Sequence, residues 1–233
     1  RIDYKDGSRF VGTFSEGAPQ ESGVFFFADG SRYSGSLESG KPSGEGRVVF
    51  SDGTIYEGEF MNGRRHGQGK QTWPDSSVYT GEWVEDTMSG QGVYYFPNGD
   101  YYEGNFNNDL WDGYGCLKQA DGSVWDGTWK EGLLHGKGSC HFANGGSYEG
   151  ELVRGYYHGQ GTRNWLEGGY YQGQWWKNKR HGYGIYRSAE VDQYSGYWLF
   201  DQKCGQGEYI DSLGRIEKGF WFFDRGPLKV GKR

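Results

Sequence analysis

An all-β fold, an elongated single-layer antiparallel sheet of successive β-hairpins, is predicted by three observations. An aromatic-x-Gly triplet recurs at a constant spacing of 23, starting at Phe10, Tyr33, Tyr56, Tyr79, Tyr102, Trp125, Tyr148, Tyr171 and Tyr194. Large side chains alternate with polar ones around each triplet, which is the period of a strand. Third, 44 glycines stand beside 18 % aromatic residues in a chain only 34 % hydrophobic, with a mean hydropathy of -0.90. The apolar surface is thus carried by rings rather than by a thick aliphatic core, and only 5 prolines argue against a collagen-like or proline-rich disordered chain.

The first strand of each repeat holds the anchor ring, a glycine two residues on, and a second large residue four on: Phe14, Leu37, Phe60, Trp83, Phe106, Trp129, Leu152, Trp175, Trp198 and, in a degenerate copy from Glu217, Trp221. Intervening residues such as Glu57 and Glu59 are polar, so one face carries rings and the other meets water. A second strand is expected to begin at the Gly-x-Gly pair, as at Gly67 and Gly69, and to end in an aromatic such as Trp73 or Trp165. Asp-Gly or Asn-Gly, as at Asp52-Gly53 and Asn98-Gly99, then favours a tight reversal. A hairpin alone is marginal, and each neighbour covers its open edge. With strands about 4.8 Å apart, each repeat adds about 10 Å, and nine make an array on the order of 90 Å long. Glycine weakens a strand, but here it leaves the hollow into which a ring can settle.

The pattern aromatic-x-Gly-x-aromatic, Gly or Asn/Asp, His-Gly-x-Gly, then Asp-Gly resembles the MORN repeat (membrane occupation and recognition nexus). It is fullest at Tyr56 to Gly69, Trp125 to Gly138 and Tyr171 to Gly184, with His66, His135 and His181. Ser43, Ser89, Asp112 or Cys204 replaces the histidine elsewhere, and RSAEVDQYSG lacks the turn glycine. The resemblance covers residues 1–233 as one continuous array. Tyr4 and Asp6-Gly7 fit the second half of an earlier hairpin and GPLKVGKR reads as a polar cap, so a fragment of a longer protein is expected. The resemblance implies roles without chemistry: cytoskeletal scaffolds of parasites, ciliary radial-spoke proteins, membrane-junction proteins, and non-catalytic parts of lipid kinases and a histone methyltransferase.

Charge and motifs narrow the classes. A net charge of -6 disfavours nucleic acid. No apolar run is long enough to span a membrane, and the first residues are not signal-like. Three cysteines without a CxxC pair suit a reducing, cytoplasmic compartment. Cys140 and His141 point to opposite faces, and with Cys116 they make a poor metal cage. No Gly-x-Ser-x-Gly, HExxH or phosphate-loop sequence occurs, and no enzyme activity or cofactor is expected.

What remains is binding. The aromatic face, turned into a trough by twist, is expected to take an extended or helical partner segment on Trp83, Tyr102, Phe106, Trp125, Trp129, Trp175 and Trp198. The alternative is an anionic lipid headgroup, a phosphoinositide, on Arg64, Arg65, Lys177, Lys179 and Arg180, which neighbour two loop histidines; another is a regulatory region of a larger enzyme. Unpaired edges at an array end invite a homodimer. Cytoskeletal or peripheral membrane association follows from the family resemblance.

Overall fold

The computed structural model describes residues 1–228. The residues beyond 228, most of the expected polar cap, lie outside the described part. Among the described residues there is no helix, and every paired strand is antiparallel to the next in sequence. Contacts divide the chain into two compact units, Arg1–Ala120 and a second from Asp121 onward. The first runs from Ile2–Asp3 to Leu110–Lys118, the second from Val124–Lys130 to Arg225–Leu228.

Each full repeat contributes a seven-residue and a nine-residue strand, as in Ile55–Met61 and Arg64–Thr72. The second strand therefore starts earlier than the Gly-x-Gly pair. A two-residue turn sits six and seven residues after the anchor, where both residues have positive φ: Glu85 and Asp86 at 47° and 71°, Lys177 and Asn178 at 47° and 65°. These are the type I′ signs that match hairpin twist. The Asp-Gly segments are instead wider loops. Phe27 N–H donates to Ser31 O at 2.9 Å, Asp29 accepts the Ser31 N–H at 2.8 Å, and only Gly30 has positive φ, at 93°. An Asx-turn there does the work assigned to a two-residue reversal.

The two strands differ in length because the second is bulged. Gly58 faces Gly69 and Phe60 faces Arg65, so one residue on the first strand is spanned by three on the second. Gly67 enters the left-handed region at φ 62° to make that bulge. Gly69 has another duty. It belongs to a row to which each seven- or nine-residue strand supplies a glycine: Gly35, Gly46, Gly58, Gly69, Gly81, Gly92, Gly104 and Gly115 pair in succession in the first unit, and Gly127 through Gly219 do the same in the second.

Anchor rings lie flat on this row. A Cβ on Gly69 would come within 2.5 Å of Tyr56 Cε2 and Cζ. The phenol then reaches the bulge: Tyr56 O–H donates to Glu59 O at 2.9 Å, Tyr79 to Glu82 O at 2.9 Å and Tyr171 to Gln174 O at 2.9 Å. Tyrosine thus meets a backbone acceptor that a phenylalanine cannot. The second ring wedges edge-on between its own anchor and the preceding one. Trp83 sits 5.3 Å from both Tyr56 and Tyr79, and Phe106 lies between Tyr79 and Tyr102. The result is a core one ring thick, made of edge-to-face pairs.

Candidate functional site

The expected groove residues are mostly this core. Tyr102 is fully buried, and Trp83, Phe106, Trp129, Trp175 and Trp198 are between 2 % and 5 % exposed. Trp83, Trp175 and Trp198 also donate their indole N–H to Gly69 O, Gly161 O and Gly184 O at 3.3, 3.0 and 3.2 Å. Trp125 departs from the pattern. It is half-buried, packs edge-on to Phe142 at 5.5 Å, and leaves the glycine beside it to Leu134 and Leu152.

Rings that line open space on the same face come from two positions not expected to bind, nine and fifteen residues after the anchor, together with the aromatic at seventeen. In the first unit these are Trp73, Tyr94, Phe96 and Trp111, half-buried and linked at 4.7 to 5.9 Å. In the second they are Tyr157, Trp165 and Tyr186. The signal was available: once glycines are aligned across strands, these positions fall an even number of residues from a ring-face glycine.

In the second unit a cleft of about 490 Å³ opens between two walls. Tyr157, Trp175 and Arg180 form one wall; Arg163, Trp165 and Tyr186 form the other. Tyr171 lies between Arg163 and Tyr186 in the strand register. A second cleft of about 350 Å³ in the first unit is lined by Phe50, Arg65, Gln71 and Trp73 with Asp29, Asp52 and Thr54. Burial pushes the Tyr157 phenol up to about 12, so it stays neutral.

The five basic residues of the lipid reading do not share a face, because adjacent residues of a strand point oppositely. Arg64 is on the outer face, 2.9 Å from Glu85. Arg65 is on the ring face, stacked 4.4 Å over Trp83 and 3.1 Å from Asp86. Arg180 repeats that arrangement, 4.2 Å over Trp198 and 3.1 Å from Asp201. Lys179 is exposed on the strand beside it, and Lys177 is in the turn. The histidines are on strands, not in loops. His158 and His181 face outward against Trp176 and Phe200 at 4.6 and 5.1 Å. Nor do the outward acids merely meet solvent: Glu59 and Glu82 accept the Gln68 and Gln91 N–H groups at 2.8 and 3.0 Å.

Among the described residues no group of three or more His, Cys, Asp or Glu side chains could hold a metal ion. Cys140 is buried, and desolvation pushes its thiol up to about 12, so it remains protonated. No helix of the described residues is long and apolar enough to cross a membrane.

Fold and face together define a class, the all-β repeat array in which hairpins bury a single layer of rings. The MORN repeat model matches nine consecutive segments, residues 10–32, 33–55, 56–78, 79–101, 102–124, 125–147, 148–170, 171–190 and 194–212. The chain belongs to the MORN-repeat family. No curated protein matches it. Solved structures similar to it include the G-box domain of the microcephaly protein CPAP, at 13 % identity over 86 % of this chain and 99 % of that one, TM-score 0.42. The TCP domain of Drosophila melanogaster SAS-4 in complex with a proline-rich motif of Ana2 is similar at 12 % identity, over 94 % and 93 %, TM-score 0.32. Virginiamycin B lyase of Staphylococcus aureus follows at 13 %, over 99 % and 84 %, TM-score 0.19. None superposes closely enough to transfer a function.

Proposed function

We propose that this chain is a non-catalytic scaffold that holds a segment of a partner protein on its ring face, at the cytoskeleton or the membrane periphery. The observation that carries the reading is the cleft of the second unit, where Tyr157, Trp165 and Tyr186 stand half-buried beside rings that the sheet has already covered. Aromatic side chains with one face packed and one free are the usual anchors of interfaces. Trp83, Tyr102, Phe106, Trp129, Trp175 and Trp198 support such a surface from beneath, and Trp125 contributes an accessible ring. The lipid reading is disfavoured because Arg64, Arg65 and Arg180 already hold carboxylates, which leaves Lys177 and Lys179 as a small cluster.

Short random peptides displayed on phage and enriched on the whole chain test the proposal. Trp165→Leu is expected to weaken the enriched peptides by at least about 2 kcal/mol with the melting midpoint nearly unchanged. Trp83→Leu, a core change, is expected to lower the melting midpoint. Peptides indifferent to Trp165 but sensitive to the exposed outer-face Tyr114 would move the binding surface to the other side of the sheet.

A further inference from the structure

Among the described residues the ring face carries three arginines, Arg65, Arg163 and Arg180, whose surroundings differ. Arg65 and Arg180 occupy equivalent repeat positions, and each has the aspartate of the next turn, Asp86 or Asp201. Arg163 sits at a different position, paired in register with Tyr148 on one side and Tyr171 on the other. Its guanidinium stacks 4.2 Å over Phe142. Its Nη1 is buried and makes no hydrogen bond. Two carboxylates line the same cleft. Asp201 is occupied by the Arg180 Nε and backbone N–H, while Glu167 is exposed on the loop after Trp165 and forms no ion pair with Arg163. Arg163 thus lines the cleft without a carboxylate partner, and a charged acceptor is the strongest hydrogen-bond partner a guanidinium can take.

The backbone around the cleft cannot supply a docking edge. Strands Tyr156–Asn164, Tyr170–Trp176 and Lys179–Arg187 are paired with neighbours on both sides. A guest therefore cannot add a strand to the sheet here and is read chiefly through side chains. We infer that the cleft takes an extended segment of a partner protein which sets an aspartate or glutamate carboxylate on Arg163 and an apolar neighbour against Trp165 and Tyr186. This rests on the scaffold reading above and specifies the chemistry of its partner: Arg163 is the specificity-determining cation, and the rings supply contact area.

The enriched phage peptides, synthesised with a fluorescent label, provide the probe. They are expected to share an acidic residue at one position and to bind the Arg163→Gln chain at least about tenfold more weakly than wild type. Changing that peptide residue from Glu to Gln should cost a similar factor on wild type and little further on R163Q, which is the coupling signature of a direct pair. Arg163→Lys should restore part of the affinity. The peptide change also reads the pair on the unaltered chain, should R163Q fold poorly. Equal affinity for wild type and R163Q, or losses that simply add, would overturn the inference while leaving the scaffold reading intact, provided Trp165→Leu still weakens the peptides. Peptides that ignore both substitutions end both readings. Arg163-dependent binding of phosphatidylcholine vesicles containing phosphatidylinositol bisphosphate, with peptides indifferent to R163Q, would assign the cation to lipid instead.

Discussion

At the scale of single residues, the glycines of the ring row and those of the Asp-Gly loops are required for unlike reasons, and substitution separates them. Gly69→Ala puts a methyl group into the Tyr56 ring and is expected to cost about 1–3 kcal/mol as overpacking, more if the ring must leave its seat. Gly122→Ala meets no atom within 4 Å, and its cost comes only from a φ of 94°, about 1 kcal/mol. Urea denaturation of the two variants should rank them in that order. Tyr56→Phe tests the phenol. It removes the donor to Glu59 O and is expected to cost about 1 kcal/mol while the ring stays in place. A Phe variant as stable as wild type would show that the carbonyl finds another donor.

At the scale of the element, hairpins are tied to their neighbours at the turn as well as by the ladder. Asp86 N–H donates to Arg65 O at 3.0 Å, and Asp86 Oδ1 accepts the Arg65 N–H at 2.9 Å. Asp109 with Met88, Asn178 with Tyr157, Asp201 with Arg180 and Asp224 with Lys203 make the same pair of bonds. Where glycine holds the position, as at Gly63 and Gly155, only the backbone bond to Pro42 O or Leu134 O remains. Asp86→Gly should therefore keep the turn and lose about 1–2 kcal/mol, whereas Asp86→Ala adds the strain of its φ of 71°. Thermal melts of wild type and both variants decide it; an Asp86→Gly chain as stable as wild type would deny the clamp. These turns show what was legible. Gly17, Gly40 and Gly63 reveal a turn in sequence, but Asn108-Asp109 or Phe200-Asp201 does so only once the period is known. A reach from one turn to the preceding repeat has no local signature. The strand pattern, by contrast, is written in the two-residue spacing of ring, glycine and ring.

Across the whole molecule, the anchors make stability depend on alkali. Burial raises the Tyr33 phenol to about 12 and pushes Tyr56, Tyr79, Tyr102, Tyr148, Tyr171 and Tyr194 further up. An unfolded tyrosine ionises near about 10. Protons are thus held more tightly in the folded state, so their stabilisation is whole below about pH 10 and is lost as pH climbs towards and beyond about 12. Loss of the β signal and the rise of tyrosinate absorbance should coincide in that window. Tyrosinate forming in full near about pH 10 with the sheet intact would contradict the burial of the anchors. The candidate site was less legible than the fold for the same reason: large rings in the sequence mark both what is covered and what is free. Trp175 and Trp165 look alike on paper. Only the cross-strand register wedges Trp175 between Tyr148 and Tyr171, where it is nearly covered, and leaves Trp165 half-buried at the edge of the same cleft.

The turn clamps also constrain how such a chain can be inherited. Asp86 finds Arg65, and Asn178 finds Tyr157, because a fixed number of residues lies between them, and several loops reach their neighbours in the same way, as Ser51 N–H does to Ser31 Oγ at 3.1 Å and Ala143 N–H to Ser123 Oγ at 3.0 Å. Excision of residues 148–170 preserves every such interval and is expected to yield a shorter folded chain by circular dichroism. Loss of Glu149 alone shifts Tyr148 off Gly161 and should open the surrounding hairpins. Descendants of this sequence can grow, shrink or shuffle only by whole repeats, so a cation such as Arg163 travels with its neighbouring rings as one heritable cassette.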